Sequence, residues 1–186
     1  MFLINVLTTF TQTRATDTCG DPCEAIPYVN YFFIDWTDSF LVNTGHFAHY
    51  ATHSEDVTNM GVKAYMFTTQ QPGTVPLFSF VRSGVDRMFL LALVDGSAPP
   101  APAGYVADNS VQTNNTAGYV YPSQICGSIP LYHLFNADIV DHLYTTDQVE
   151  KEALLSFNNY TDQGIIAYVL PPCTGVYLSY SPTSNR

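Results

Sequence analysis

The chain has 186 residues, about one domain's length, which excludes a two-domain enzyme with a large separate cofactor domain. Charged residues make up only 12%, while 13 Tyr, 12 Phe and one Trp supply apolar surface for a substantial core, which excludes extensive disorder. Six basic residues against sixteen acidic ones leave a net charge of -10; that sign repels phosphate backbones and anionic lipid, so nucleic acid and membrane are excluded as partners and neutral or cationic ligands remain.

In chain order, Met1 to Val6 is apolar but lacks a basic n-region and is short for a leader, so it reads as an ordered strand. No apolar run approaches the roughly 18 residues of a membrane span; the longest is Met88 to Val94. Beyond residue 25 the chain repeats itself. The offset that lays Ile26-Pro27 on Ile129-Pro130 continues without a gap to Gly61 on Gly164, with Phe32 on Phe135, Asp35 on Asp138, Asp38 on Asp141 and Ala64-Tyr65 on Ala167-Tyr168. A middle copy starts at Val75-Pro76-Leu77-Phe78, continues through Asp86-Arg87-Met88-Phe89 and closes at Gly118-Tyr119-Val120. It is the longest of the three. The excess is Gly96 to Gly104, whose prolines remove backbone donors and dictate an irregular loop.

The last copy shows the local structure most clearly. Pro130 to Asn136 mixes aromatic and aliphatic residues as a strand does, and Asp141 to Thr146 is a second short strand. Asp147-Gln148-Val149-Glu150 resembles a capping box opening a helix to about Phe157, and a third strand runs from Gly164 to Leu170 before Pro171-Pro172. Such units cannot each bury a core alone. The expectation is therefore one domain, 1–186, mainly β with short helices, with repeats at about 26–70, 75–122 and 129–172. They would form a pseudo-threefold closed arrangement, β-trefoil-like or small propeller-like, with the terminal segments closing the ring.

The last copy, Ile129-Pro130-Leu131-Tyr132-His133-Leu134-Phe135-Asn136, then Asp141-His142-Leu143-Tyr144-Thr145-Thr146, then Gly164-Ile165-Ile166-Ala167-Tyr168-Val169, resembles a repeat family of unknown function numbered 5648. The resemblance covers about residues 26 to 170 in three degenerate copies. It implies the company of exported fungal and bacterial proteins, sometimes beside cell-wall hydrolases, and hence a carbohydrate-associated, extracellular role; no family chemistry comes with it. The family's Asp-His-aromatic-Tyr is kept only in the last copy, becoming Asp38-Ser39-Phe40-Leu41 and Asp86-Arg87-Met88-Phe89 in the others. The Arg that the family places after the first strand's aromatic residue is Asn30, Ser79 and His133 here, so its ion pair with the retained Asp is absent.

Asp38, Asp86 and Asp141 recur at one place in all three copies. A carboxylate beside aromatic rings, such as Trp36 and Tyr144, accepts hydroxyl protons while a ring packs on a sugar's C–H face, which is lectin-like chemistry. Alternatively each Asp caps the turn before the second strand through nearby backbone donors. His133, Asp141, His142 and Tyr144 collect the titratable groups of the last copy, but residues 141 and 142 point to opposite faces of an ideal strand and are not expected in one site. His46, His49 and His53 lie at helical spacing, with Glu55 and Asp56 nearby; a solvated polar face is the expectation and a metal site the alternative. Cys19, Cys23, Cys126 and Cys173 permit three pairings; Cys19 or Cys23 joined to Cys173 is favoured because ring closure brings the chain ends together, against four thiols in a reducing compartment. The sequons at Asn114 and Asn159 suit an oxidising compartment too.

No phosphate-binding glycine loop and no Gly-x-Ser-x-Gly elbow is present, and no cofactor is implied. The expected function is a non-enzymatic carbohydrate-binding module with a glycan partner and ligand residues Trp36, Asp38, Asp86, His133, Asp141, His142 and Tyr144. The alternative is a structural, interaction or defence protein, such as an inhibitor, whose repeats carry loops.

Overall fold

A computed structural model describes residues 19–50, 56–110 and 113–171, apart from the side chains of His49, Tyr50 and Thr113. The expected strand at Met1 to Val6, with His53 and Cys173, lies outside the described residues. The architecture is mainly β. A first stretch holds β1 (Ala25–Phe33), β2 (Asp38–Asn43), the short helix α1 (Thr44–Tyr50) and β3 (Val57–Phe67). A middle stretch holds β4 (Val75–Arg82), β5 (Asp86–Leu91), the two-residue β6 (Val106–Ala107) and β7 (Thr116–Val120). The last holds β8 (Ile129–Asn136), β9 (Asp141–Thr145), helix α2 (Gln148–Phe157) and β10 (Thr161–Val169).

In every stretch the leading strand is central. β1 lies between β2 and β3, β4 between β5 and β7, and β8 between β9 and β10, all antiparallel. A tight turn joins each first pair, which puts Asp38, Asp86 and Asp141 at the start of a strand opposite Phe33, Arg82 and Asn136. The third strands each carry a bulge. At Gly61 and Gly164 the backbone enters the left-handed region, with φ of 86° and 94°, so glycine is the residue that holds the bulge there without a Cβ clash.

The strands form a seven-stranded sheet, β2-β1-β3-β7-β4-β5 with β6 on β4, and a three-stranded sheet, β10-β8-β9. The two do not close into a barrel, which corrects the expectation of a trefoil-like ring. The reason lies in the third strands, which among the described residues meet only at single bridges: Phe67 with Tyr119, Tyr65 with Leu170, and Tyr121 with Tyr168. What unites the stretches is the core beneath. Its main cluster takes Tyr28, Leu41, Ala64 and Met66 from the first, Leu77, Phe89, Ala117 and Val120 from the middle, and Leu131, Tyr144, Ala167 and Val169 from the last. No stretch supplies enough apolar surface to bury these alone, so they stabilise one another by shared burial.

Polar atoms in that core are matched. Tyr28 Oη donates to the Ala117 carbonyl at 2.6 Å, and burial pushes its pKa up to about 12. Tyr144 stands where Leu41 and Phe89 stand in the other stretches, and its hydroxyl accepts the Phe89 backbone N–H at 2.8 Å.

Helix α2 begins at Asp147, whose carboxylate accepts the N–H groups of Val149 and Glu150, as the sequence predicts. Glu150 does not complete the box; it turns to the Thr145 hydroxyl and to Lys63 at 2.6 Å, tying the last stretch to β3. The insertion Gly96 to Gly104 is irregular, as its prolines require. Among the described residues no helix is long and apolar enough to cross a membrane.

Cys19 is bonded to Cys126, with the Cα atoms 5.6 Å apart, which overturns its expected pairing with Cys173; the other expected pairing, Cys23 with Cys173, falls on a residue outside the described ones. The segment leading into β1 runs beside the β7–β8 loop: Gly20 N–H donates to the Tyr121 hydroxyl at 3.1 Å, which seats Cys19 against Cys126. The disulfide therefore joins the approach to the first stretch with the approach to the last.

Candidate functional site

Asp38, Asp86 and Asp141 converge. One carboxylate oxygen from each lies within 4.8 Å of the others, and all three residues are buried, at 1%, 3% and 0% exposure. The recurring positions thus make one central cluster in place of three shallow surface sites. Nor do the two bonded carboxylates cap their own turns. Asp141 accepts Ser39 N–H at 2.7 Å and Ser39 Oγ–H at 3.1 Å, and Asp86 accepts His142 N–H at 3.1 Å. In both cases one stretch's carboxylate satisfies the backbone donor beside another stretch's aspartate, because the strand starts meet in the interior where water is absent.

The three carboxyls differ in their remaining partners. The Tyr160 hydroxyl donates to Asp141, and the Tyr105 hydroxyl donates to Asp86. Desolvation raises the pKa of both tyrosines, so both remain donors. At the offset that superimposes the first copy on the last, Val57 stands where Tyr160 stands. Asp38 has no tyrosine, and its Oδ1 has no hydrogen-bond partner among the described residues. Burial, then the charges of Asp86 and Asp141, hold the Asp38 carboxyl well above the usual carboxylate range, against a smaller opposing pull from Arg87. Asp141 is raised by burial and partly restored by Tyr160 and Ser39. Asp38 keeps the proton and shares it with Asp141. Three such oxygens are donors of the kind hard cations use, but the Asp141 oxygens already accept from Ser39 and Tyr160.

Beside the cluster opens a cavity of about 470 Å³ between the first and middle stretches. Asp38, Asp86 and Asp108 contribute carboxyls, Arg87 a guanidinium, Trp36 and Phe40 aromatic rings, and the β4–β5 turn from Arg82 to Val85 forms the far wall. Trp36 stacks on Phe33 with centroids 5.0 Å apart and tilts against Phe40 at 5.7 Å, so the rings are held in place by one another. Arg87 is buried; its Nη2 lies 2.8 Å from Asp108 Oδ2 and its Cζ stands 4.4 Å over the Phe40 ring. Asp108 also receives the hydroxyls of Ser79 and Ser110.

The remaining predicted residues lie behind the cluster. His133 Nε2 is 2.7 Å from His142 Nδ1, and His142 Nε2 is 3.5 Å from Asp86 Oδ2. The network is consistent with His133 donating to His142 and His142 to Asp86, with both rings neutral. Burial pushes His133 down to about 3, and burial also lowers His142 although Asp86 and Asp141 resist it. His133 stacks on Tyr144 at 4.9 Å. Residues 141 and 142 are thus brought to one cluster, contrary to the opposite-face expectation, because β9 is buried on both faces and Asp86 reaches from the middle stretch to both. His133, His142 and Tyr144 do not line the cavity.

His46 lies on α1, where its backbone N–H is accepted by Asn43 Oδ1 at 3.0 Å; the side chain of His49 and all of His53 lie outside the described residues. The family Arg position holds three solutions: Ser79 bonds Asp108, His133 bonds His142, and Asn30 is fully buried with no partner for either amide atom.

Sequence reasoning missed Tyr105, Tyr160 and Asp108. Nothing in the sequence marked the tyrosines among thirteen, but Arg87, one of only six basic residues and adjacent to a recurring Asp, signalled a buried acidic partner.

Fold and site define a class: an antiparallel β protein of three-stranded units whose recurring aspartates meet in one buried cluster beside a small aromatic cavity. A family model described as a domain of unknown function (DUF5648) matches residues 101–170, from the end of the middle insertion through the last stretch. No curated protein and no solved structure matches the chain.

Proposed function

We propose that this protein is a non-enzymatic carbohydrate-binding module of lectin type, acting outside the cell, whose three repeats surround a pseudo-threefold axis and present one glycan site. The observation that carries the reading is the cavity. At about 470 Å³ it lies within the range of small-ligand pockets, and it combines a half-buried indole with carboxyls and a guanidinium, the pairing that grips a sugar ring by its C–H face and its hydroxyls. Arg87 covers the Phe40 ring, which leaves Trp36 as the stacking surface. The neutral histidine pair stands behind the aspartates and away from the cavity, so neither imidazole faces a ligand there. The extracellular part rests on the disulfide and on the exposed sequon residues Asn114 and Asn159.

The test is a glycan array and polysaccharide pull-down with the full chain and with Trp36→Ala. Binding by the wild type and at least tenfold weaker binding by Trp36→Ala is the expected result. No glycan bound by the folded wild type, or undiminished binding by the variant, overturns the reading. A second reading, a protein-interaction role, is favoured by Leu93, Val94 and Val106, which stand exposed at 47%, 110% and 63% around the middle insertion.

A further inference from the structure

We propose that the cavity selects glycans that carry a protonated amine, amino sugars in place of their N-acetylated or hydroxyl counterparts, and that Asp38 is the residue that makes the selection. The inference deepens the carbohydrate reading above and rests on it. Two of the three clustered carboxylates are already served: Asp86 by Tyr105 and His142, Asp141 by Tyr160 and Ser39. Asp38 lines the cavity, is 1% exposed, and has an oxygen that nothing among the described residues bonds. A buried oxygen acceptor without a donor is costly, and a donor supplied by a ligand removes that cost.

Charge decides which donor suits it. Facing Asp38 are Asp86 and Arg87 from β5, Asp141 and Tyr144 from β9, and the hydroxyls of Tyr105 and Tyr160. Among the described residues two cations line the cavity: Arg87, which is tied to Asp108, and Arg82 on the far wall, against the carboxyls of Asp38, Asp86 and Asp108 with Asp141 behind them. A sugar hydroxyl donates one hydrogen bond and leaves the acidic excess as it was. An ammonium donates a charge-assisted bond, offsets the excess, and places its charge near the Trp36 indole. Because the crowded carboxyl of Asp38 holds its proton in the free protein, the ligand stays protonated and the Asp38 proton leaves to solvent on binding.

The experiment is calorimetric titration of the full chain at about pH 6, below the ordinary amine range, with a glucosamine tetramer and with its fully N-acetylated counterpart. The expected result is at least tenfold tighter binding of the amine tetramer, with release of close to one proton when the heats are compared in two buffers of different ionisation enthalpy. Asp38→Asn, checked for folding by circular dichroism, brings the two ligands to parity. The proton count on the wild type stands even if that variant does not fold. Equal affinities, a preference for the acetylated tetramer, no proton release, or a preference that survives in folded Asp38→Asn each overturns the inference while leaving the carbohydrate reading in place. A wild type that binds neither tetramer nor any other glycan overturns both.

Discussion

The first and last stretches place an aspartate at the same point, at the start of the second strand, and treat it in opposite ways. In the last, Asp141 accepts from Ser39 and from Tyr160 and is closed over by the residues before β10. In the first, Asp38 has Val57 at the position of that tyrosine, keeps an oxygen without a donor, and borders a cavity. The histidines behave like Asp141. His133 and His142 fill the interior of the last stretch with a bonded pair, where the first has the unbonded amide of Asn30 and has Ser39, whose bonds go to Asp141. One frame therefore supports a sealed copy and an open one, and the difference lies in whether an aromatic hydroxyl is available to end the hydrogen-bond chain. A repeat that has all its donors is structural; a repeat that lacks one has an acceptor to offer.

The comparison presumes that first and last stretches are held in fixed relation, and the disulfide is the strongest single tie. It spans 107 residues, for which unfolded-chain entropy gives a stabilisation of about 5 kcal/mol. Cys126→Ser is expected to lose about that much in urea unfolding, and a loss under about 1 kcal/mol shows that the shared core alone fixes the stretches.

The next largest effect separates the two aspartates. Asp141→Ala leaves the Ser39 N–H and the Tyr160 hydroxyl buried without acceptors, and is expected to cost about 3 kcal/mol by the same measurement. Asp38→Asn removes a carboxyl that the site already keeps protonated, so its cost at neutral pH is expected to stay under about 1 kcal/mol. Equal losses in the two variants erase the distinction between sealed and open copies.

The two stretches also carry opposite pH signatures. The folded pKa of Asp38 is raised, so folded protein binds more protons than unfolded, and its contribution is full below about 3.8 and is lost as pH rises above that value. His133 is depressed from 6.5 to about 3, so the unfolded chain binds the extra proton, and its contribution is present at neutral pH and is lost as pH falls from 6.5 toward 3. Unfolding curves of the wild type and His133→Gln are expected to converge as pH falls through that window. If the difference between them is flat from neutral pH to about pH 3, the buried neutral histidine is not what the acid limb reports.

The offset that pairs Asp38 with Asp141 and Gly61 with Gly164 was readable, because a repeated unit needs the same core contacts and the same bulge each time. The cap at Asp147 and the irregular insertion were readable too, since both follow from local backbone chemistry. The disulfide partner was not: Cys19 lies near Cys126 because Gly20 reaches Tyr121, a contact across a hundred residues. The same holds for Asp108, which is acidic and unremarked in the sequence and becomes the partner of Arg87 only when β5 and β6 are both paired with β4.

The sequence by itself determined a mainly β chain of repeated strands, with an aspartate recurring beside aromatic residues. Those properties are periodic and local, and hydrophobic pattern and turn chemistry act over a few residues. Tertiary structure alone decided that the aspartates meet, that two of them are satisfied by tyrosines and one is not, and that the unsatisfied one lies at a cavity. Convergence is set by how the three stretches share one core, and a burial that costs nothing at one copy and leaves an orphaned oxygen at another depends on side chains that arrive from other strands and loops.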